Sequence, residues 1–106
     1  MERGIALAGR PAREASFGPL QDAIDGCIVV EFDYLKPGEE RPRRRRVRPL
    51  ALVDYEARWH VFCHDLDADG DRLFLLSRIV GDVKTTRERF DAALRDGAGD
   101  RALRGL

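Results

Sequence analysis

The stretch WHVFCHDLDADGDRLFLLSRI, residues 59–79, decides how this chain folds. From Arg58 to His64 the residue types suit an extended strand, with His60, Phe62 and His64 on one side and Trp59, Val61 and Cys63 on the other. Asp65–Asp71 then breaks the apolar run, and its Asp69-Gly70 pair supplies hairpin turn chemistry. From Arg72 to Leu76 the alternation resumes, and Phe74 and Leu76 share the side of Arg72. The stretch therefore reads as two short strands joined by an acidic turn.

That turn imitates a calcium loop without being one. Acids at 65, 67 and 69 followed by Gly70 match the front of the EF-hand pattern, but Leu76 stands where the pattern needs a bidentate glutamate, and both flanks read as strands rather than helices. Nor do His60, Cys63 and His64 make a metal site, because strand alternation points Cys63 away from both histidines. Ser16 and Ser77 are the only serines, and there is no glycine-rich phosphate loop. A binding module without metal or cofactor is expected here rather than an enzyme.

Upstream, Cys27–Tyr34 has period two, with Ile28, Val30, Phe32 and Tyr34 on one face and Val29, Glu31 and Asp33 on the other. Pro37-Gly38 makes a turn. Arg43–Val53 is a further strand in which Pro49 predicts an edge position or a bulge. Downstream, Val80–Thr85 is a short fifth strand, and Thr86 is placed to cap a helix over Arg87–Asp96 with Phe90, Ala93 and Leu94 as its apolar face, ended by Gly97 and Gly99. A short helix over Leu20–Asp25, closed by Gly26, precedes the first strand, and residues 1–18 read as a flexible leader. The expected organisation is leader 1–18, β domain 19–86, and helix with tail 87–106. Short strands flanked by helices point to a mainly β fold, a small five-stranded antiparallel barrel.

With 106 residues, 43% hydrophobic and 36% charged, the chain has material for one domain with one modest core. The formal net charge is zero, yet Arg41–Arg48 holds six arginines and no acid while Asp65–Asp71 holds four aspartates and no base. Separated charge blocks allow a strongly basic face on a neutral protein. Cys27 and Cys63 sit in apolar runs and read as reduced, buried thiols. The Ile5–Ala8 patch is too short for a signal peptide and no run is long enough to span a membrane, so a cytoplasmic protein is expected.

The arginine run carries the functional signal. Period two places Arg43 and Arg45 on the side of Val47, and Arg44, Arg46 and Arg48 on the other. An inward arginine needs a carboxylate, carbonyls or a ligand anion, since an unpaired buried charge is costly. Arg72 shares the face of Phe74 and Leu76, Arg78 follows where that strand breaks, and Tyr34 ends the apolar face of the first strand. Two readings stand. The arginines converge on a cationic mouth suited to phosphate or carboxylate, with an aromatic beside it for a base to stack on. Alternatively they are tied internally to Glu31, Asp33 or the aspartate turn.

These residues, taken together, resemble the WYL domain family. Trp59-His60-Val61 stands where the family has Trp-Tyr-Leu, and Arg72–Ile79 is similar to its R-x-F-x-L-x-R-I element. Arg45-Arg46-Val47-Arg48-Pro49 looks like its R-x-V-x-P element, and Val30–Tyr34 like its first strand. The resemblance covers roughly Leu20 to Phe90 and implies an Sm-like five-stranded barrel. It also implies a bacterial-type regulatory module that binds single-stranded nucleic acid or a nucleotide-like anion and signals to a helix-turn-helix regulator. On these matches Tyr34, Arg45, His60, Arg72 and Arg78 are the expected ligand-binding residues, and Trp59 a structural aromatic. Docking on a full-length regulator, or self-association as a homodimer, is the competing expectation. The tyrosine of the signature is His60 here, and the stretch before Leu20 is too short for a helix-turn-helix.

Overall fold

The structure, a computed structural model, describes residues 13–106. Residues 1–12, which include the Ile5–Ala8 patch and most of the expected leader, lie outside the described residues. Alternation is realised in β1 (Ile28–Tyr34), which buries Val30, Phe32 and Tyr34 while Glu31 and Asp33 stay half-exposed. Val29 is buried as well, where the register of β1 against its later partner slips. The remaining strands are β2 (Arg43–Tyr55), β3 (Arg58–Asp65), β4 (Gly70–Leu75) and β5 (Ile79–Arg89). They form one antiparallel sheet in the order β4-β3-β2-β1-β5.

The sheet is open, which corrects the expected closed barrel. A 3-10 turn at Leu76–Arg78 separates β4 from β5, so β4 stays on β3 and β5 pairs with β1, leaving each as an edge. Two single bonds tie the end of β1 to the end of β4 and to the 3-10 turn, and neither joins β4 to β5. The Leu75 N–H donates to Tyr34 Oη at 3.0 Å, and the Leu35 N–H donates to the Arg78 carbonyl at 3.0 Å.

Pro49 does not put β2 at an edge: β2 is the central strand. The proline is fully buried, and the register passes from Pro49↔Cys63 to Ala51↔Phe62, so Leu50 is the extra residue of a bulge. The bulge absorbs the missing N–H that would otherwise bar proline from the middle of a sheet. It also inverts the faces. Val47 packs in the interior cluster, whereas Val53, beyond the bulge, packs in the cluster on the opposite side.

The helices differ most from expectation. α1 (Phe17–Gly26) begins three residues before Leu20, within the stretch read as leader, and buries Leu20, Ala23 and Ile24. Its left-handed cap falls on Cys27, φ 54°, not on Gly26. A Cβ at Gly26 would press on the Ile28 side chain at 3.1 Å, which would have to give by a few tenths of an ångström. The expected helix over Arg87–Asp96 does not form. β5 runs on to Arg89, a 3-10 turn occupies Ala92–Arg95, and Gly97, far from ending a helix, is the left-handed residue (φ 67°) that opens α2 (Ala98–Arg104). Thr86 caps nothing; its hydroxyl donates to the Val29 carbonyl at 2.7 Å, fastening β5 to β1.

Two apolar clusters result. Leu20 and Ala23 of α1 join Val30, Phe32, Tyr34, Val47, Val61, Cys63, Phe74 and Leu76 inside the curl of the sheet. On the other side, Ala98 and Ala102 of α2 cover Leu50, Val53 and Phe62. No described helix is long and apolar enough to cross a membrane.

Candidate anion-binding site

Each inward strand delivers one polar residue at the end of its apolar set. On β2 it is Arg45, two residues before buried Val47. On β3 it is Asp65, which follows Val61 and Cys63 and is 1% exposed. The two meet: Arg45 Nη1 stands 3.8 Å from Asp65 Oδ2. The other oxygen, Oδ1, accepts the N–H groups of Asp67 and Ala68 at 3.0 and 3.2 Å, so Asp65 also organises the hairpin turn. The Arg45 guanidinium carbon lies 5.9 Å from the Tyr34 ring centroid and 5.5 Å from that of Phe74, within cation–π range of both. Arg45 Nε is buried and has no hydrogen-bond partner among the described residues. At 3.8 Å the pairing with Asp65 is a charge contact rather than a hydrogen bond, so the guanidinium keeps donors to spare.

Two of the outward arginines, Arg44 and Arg46, are spent within the chain. Arg44 Nε donates to Asp33 Oδ1 at 2.8 Å and its Nη1 lies 3.4 Å from Glu31 Oε1. Arg46 pairs with Glu31 at 3.7 Å and contacts Glu88 of β5. Strand register explains the ladder, because Arg44 and Arg46 stand opposite Asp33 and Glu31. The internal-pairing reading thus describes the outer face, while Arg45 is paired only in part.

Of the other residues singled out by sequence, Tyr34 already stands beside Arg45, while Arg72 lines a separate cleft with Phe62, Leu73 and Leu106. Arg72 lies on β4. It is exposed, donates to the Asp71 carbonyl at 2.9 Å, and lies against Gly70, which stands opposite Asp65. Arg45 and Arg72 both act on the Cys63 thiol. Burial pushes that thiol well above its ordinary value, Asp65 and Asp71 raise it further, and the two arginines oppose the shift. Arg78 is held at the 3-10 turn, donating to the Leu35 carbonyl at 3.3 Å, beside Tyr34 in sequence. Tyr34 is buried, and its hydroxyl oxygen already accepts from Leu75. His60 is not brought to this centre. It shares the face of Phe62, which packs against α2, and its ring stands 6.0 Å from Tyr55. Trp59 packs edge-on against Phe17 at 4.9 Å, pinning α1 to β3.

His64 and Cys63 diverge as alternation requires: His64 contacts Asp69 and Asp71, each at 3.2 Å, while Cys63 is in the interior cluster. Cys27 and Cys63 are both free thiols, with Cys27 half-buried. Among the described residues no group of three or more His, Cys, Asp or Glu is arranged to hold a metal ion.

A cleft of about 230 Å³ opens beside Arg45, with Arg43, Arg44 and Arg45 along one wall and Asp65, Asp67 and Ala68 along the other. The cleft residues Arg43 and Asp67 were not singled out from sequence. The signal for Arg43 was its shared parity with Arg45, whereas Asp67 enters only because Asp65 folds the turn back toward β2.

A curled five-stranded sheet, plugged by an N-terminal helix and carrying an arginine-lined cleft, defines a small β-sheet domain. The model of the WYL domain family matches residues 15–84, and the chain belongs to that family. Protein PafB of Mycobacterium tuberculosis is 37% identical over 78 residues, covering 74% of this chain and 24% of the relative. Protein PafB of Mycobacterium leprae is 33% identical over 64 residues, covering 60% and 19%. The chain is also similar in structure to proteasome accessory factor B/C (PafBC) of Arthrobacter aurescens, with a TM-score of 0.69 and 25% identity over 77% of this chain and 13% of that one. It therefore spans a quarter or less of the length of these relatives.

Proposed function

We propose that this WYL domain is a regulatory ligand-sensing module, acting in the cytoplasm in transcriptional regulation. It binds an anionic ligand, single-stranded nucleic acid or a nucleotide, at the arginine-lined cleft. The observation that carries this reading is Arg45: a largely buried guanidinium, seated against two aromatic rings, loosely paired to Asp65 and with an Nε that has no partner among the described residues. Guanidinium forks suit phosphate oxygens, and a partly desolvated one holds them more strongly than a solvated one. Arg43, exposed and 3.9 Å from Glu39, lines the same cleft, whereas Arg72 lines the second cleft and Arg78 is held at the Leu35 carbonyl. The module is read as a binder that performs no reaction, and a helix-turn-helix regulator as its partner in signalling.

Titration of a labelled single-stranded oligonucleotide at increasing salt tests this. The affinity falls steeply with salt, because each neutralised phosphate releases counterion. An Arg45→Ala/Arg78→Ala variant binds at least about tenfold more weakly at low salt. Arg43→Ala, at an exposed position, shows a smaller loss with the fold untouched. No binding by the wild type, or equal binding by the double variant, overturns the reading.

A second reading has its own observation. Leu103 and Leu106 are each 51% exposed, and Leu106 lines a second cleft with Leu73 and Phe62, next to the β4 edge. An apolar patch beside an unpaired strand suits a protein partner, either a full-length regulator or a second copy. Sedimentation of the wild type against Leu103→Ser/Leu106→Ser separates the two: a self-associating module dissociates in the variant.

A further inference from the structure

We propose that the cleft selects guanine among nucleotide ligands, with Asp67 as the residue that reads the base. This rests on the anion reading of the same cleft and names its ligand more narrowly. The two acids of the cleft differ in kind. Asp65 is buried and fully used, by two backbone N–H groups on one oxygen and by Arg45 on the other. Asp67 is exposed and lends its backbone N–H to Asp65, but among the described residues its carboxylate has no hydrogen-bond donor and no cation within 4 Å. A free carboxylate lining the same cleft as Arg43 and Arg45 weakens the site for a ligand that is only an anion. The same carboxylate favours a ligand that brings hydrogen-bond donors with its negative charge.

The bases present different edges to such an acceptor. An ionised carboxylate only accepts, through two oxygens set side by side. Guanine alone carries two adjacent donors on its Watson–Crick edge, N1–H and the N2 amino group, so both oxygens are matched. Adenine and cytosine place one amino group beside a ring nitrogen lone pair, which the second oxygen repels. Uracil and thymine offer one N–H between two carbonyls. That edge is free in a nucleotide or a single strand and not in a duplex, and guanidinium planes serve as stacking surfaces for unpaired bases. The cleft, at about 230 Å³, is smaller than the roughly 300–1,000 Å³ of pockets that enclose a whole drug-sized ligand. It therefore grips one base and its neighbouring phosphate.

The experiment is calorimetric titration of the whole chain with GMP, AMP, CMP and UMP at low salt, for wild type and Asp67→Ala. Asp67 is exposed in the turn, and Asp65, which holds that turn, is retained; circular dichroism confirms the fold of the variant. GMP binds the wild type about tenfold or more tightly than the others, a bidentate base contact being worth that much discrimination. In Asp67→Ala the four nucleotides bind alike, and AMP binds no worse than to wild type because a repulsive charge has gone. Equal wild-type affinity for all four, or a guanine preference that survives in Asp67→Ala, overturns the proposal and leaves the anion reading standing. Failure of all four to bind, together with failure of the oligonucleotide, removes both.

Discussion

Asp65 Oδ2 stands 3.8 Å from Arg45 Nη1, and Asp65 Oδ1 holds the backbone of Asp67 and Ala68. One carboxylate thus balances the inward arginine and shapes the turn that faces it. The pairing joins β2 to the end of β3, and it makes the cationic cleft a product of packing rather than of charge count.

Removing that carboxylate separates its two tasks. Asp65→Ala strands a largely buried guanidinium and two turn N–H groups, so a loss of about 3–5 kcal/mol is expected, the range for breaking a buried pair from one side. Asp65→Asn keeps an oxygen for the turn and loses roughly 1–2 kcal/mol less than Ala. Urea unfolding of both variants checks this; equal losses would mean that the charge contributes nothing.

Tyr34→Phe leaves the ring in place and takes away the acceptor of the Leu75 N–H. Tyr34 is 7% exposed, so water does not readily replace the hydroxyl. The variant loses about 1–2 kcal/mol. Because this bond ties the end of β4 to β1, the Leu75 amide exchanges with solvent hydrogen faster than in wild type, while amides within β1 and β2 keep their protection.

Arg46 tests the outer ladder. It pairs with Glu31 and Glu88 on the solvated face and does not line the cleft. Arg46→Ala changes stability by no more than about 1 kcal/mol, less at high salt, and leaves oligonucleotide affinity within about twofold. A loss of affinity equal to that of Arg45→Ala would place the binding surface on the outer face instead.

Cys63 and Cys27 differ in reactivity. Burial raises the Cys63 thiol well above its ordinary value, with Asp65 and Asp71 adding to the effect, so it stays protonated near neutral pH. Iodoacetamide labels half-buried Cys27 first, and Cys63 only at the rate of unfolding. The sign of the linkage is also fixed. Between the unfolded value, about 8.5, and the higher folded value, the native state holds the proton and the unfolded state does not, so stability falls as pH rises through that window. Cys63→Ala flattens the alkaline limb in a pH series of urea melts.

Local chemistry by itself determined much of this protein. The alternation of Val30, Phe32 and Tyr34, the parity of Arg45 with Val47, the acidic hairpin at Asp65–Asp71 and the divergence of Cys63 from His64 are all consequences of period two, which needs no knowledge of neighbours. Tertiary structure decided the rest. Pro49 reads in sequence as an edge position or a bulge; only the assembled sheet shows the bulge, in a fully buried central strand, and that bulge inverts the faces of β2 beyond Leu50. Alternation along β3 sets His60 to face away from Asp65, and only packing decided which of those two faces receives Arg45 and which receives α2. β5 was cut short because an exposed edge strand rich in charge carries no apolar alternation, and Gly97 ended a helix in sequence but opens one in space. The cleft itself depends on Asp65 bending the turn back over β2. Periodicity specifies which way a side chain points along its own strand; which strands become neighbours, and so which arginine meets which acid, is set only when the sheet is assembled.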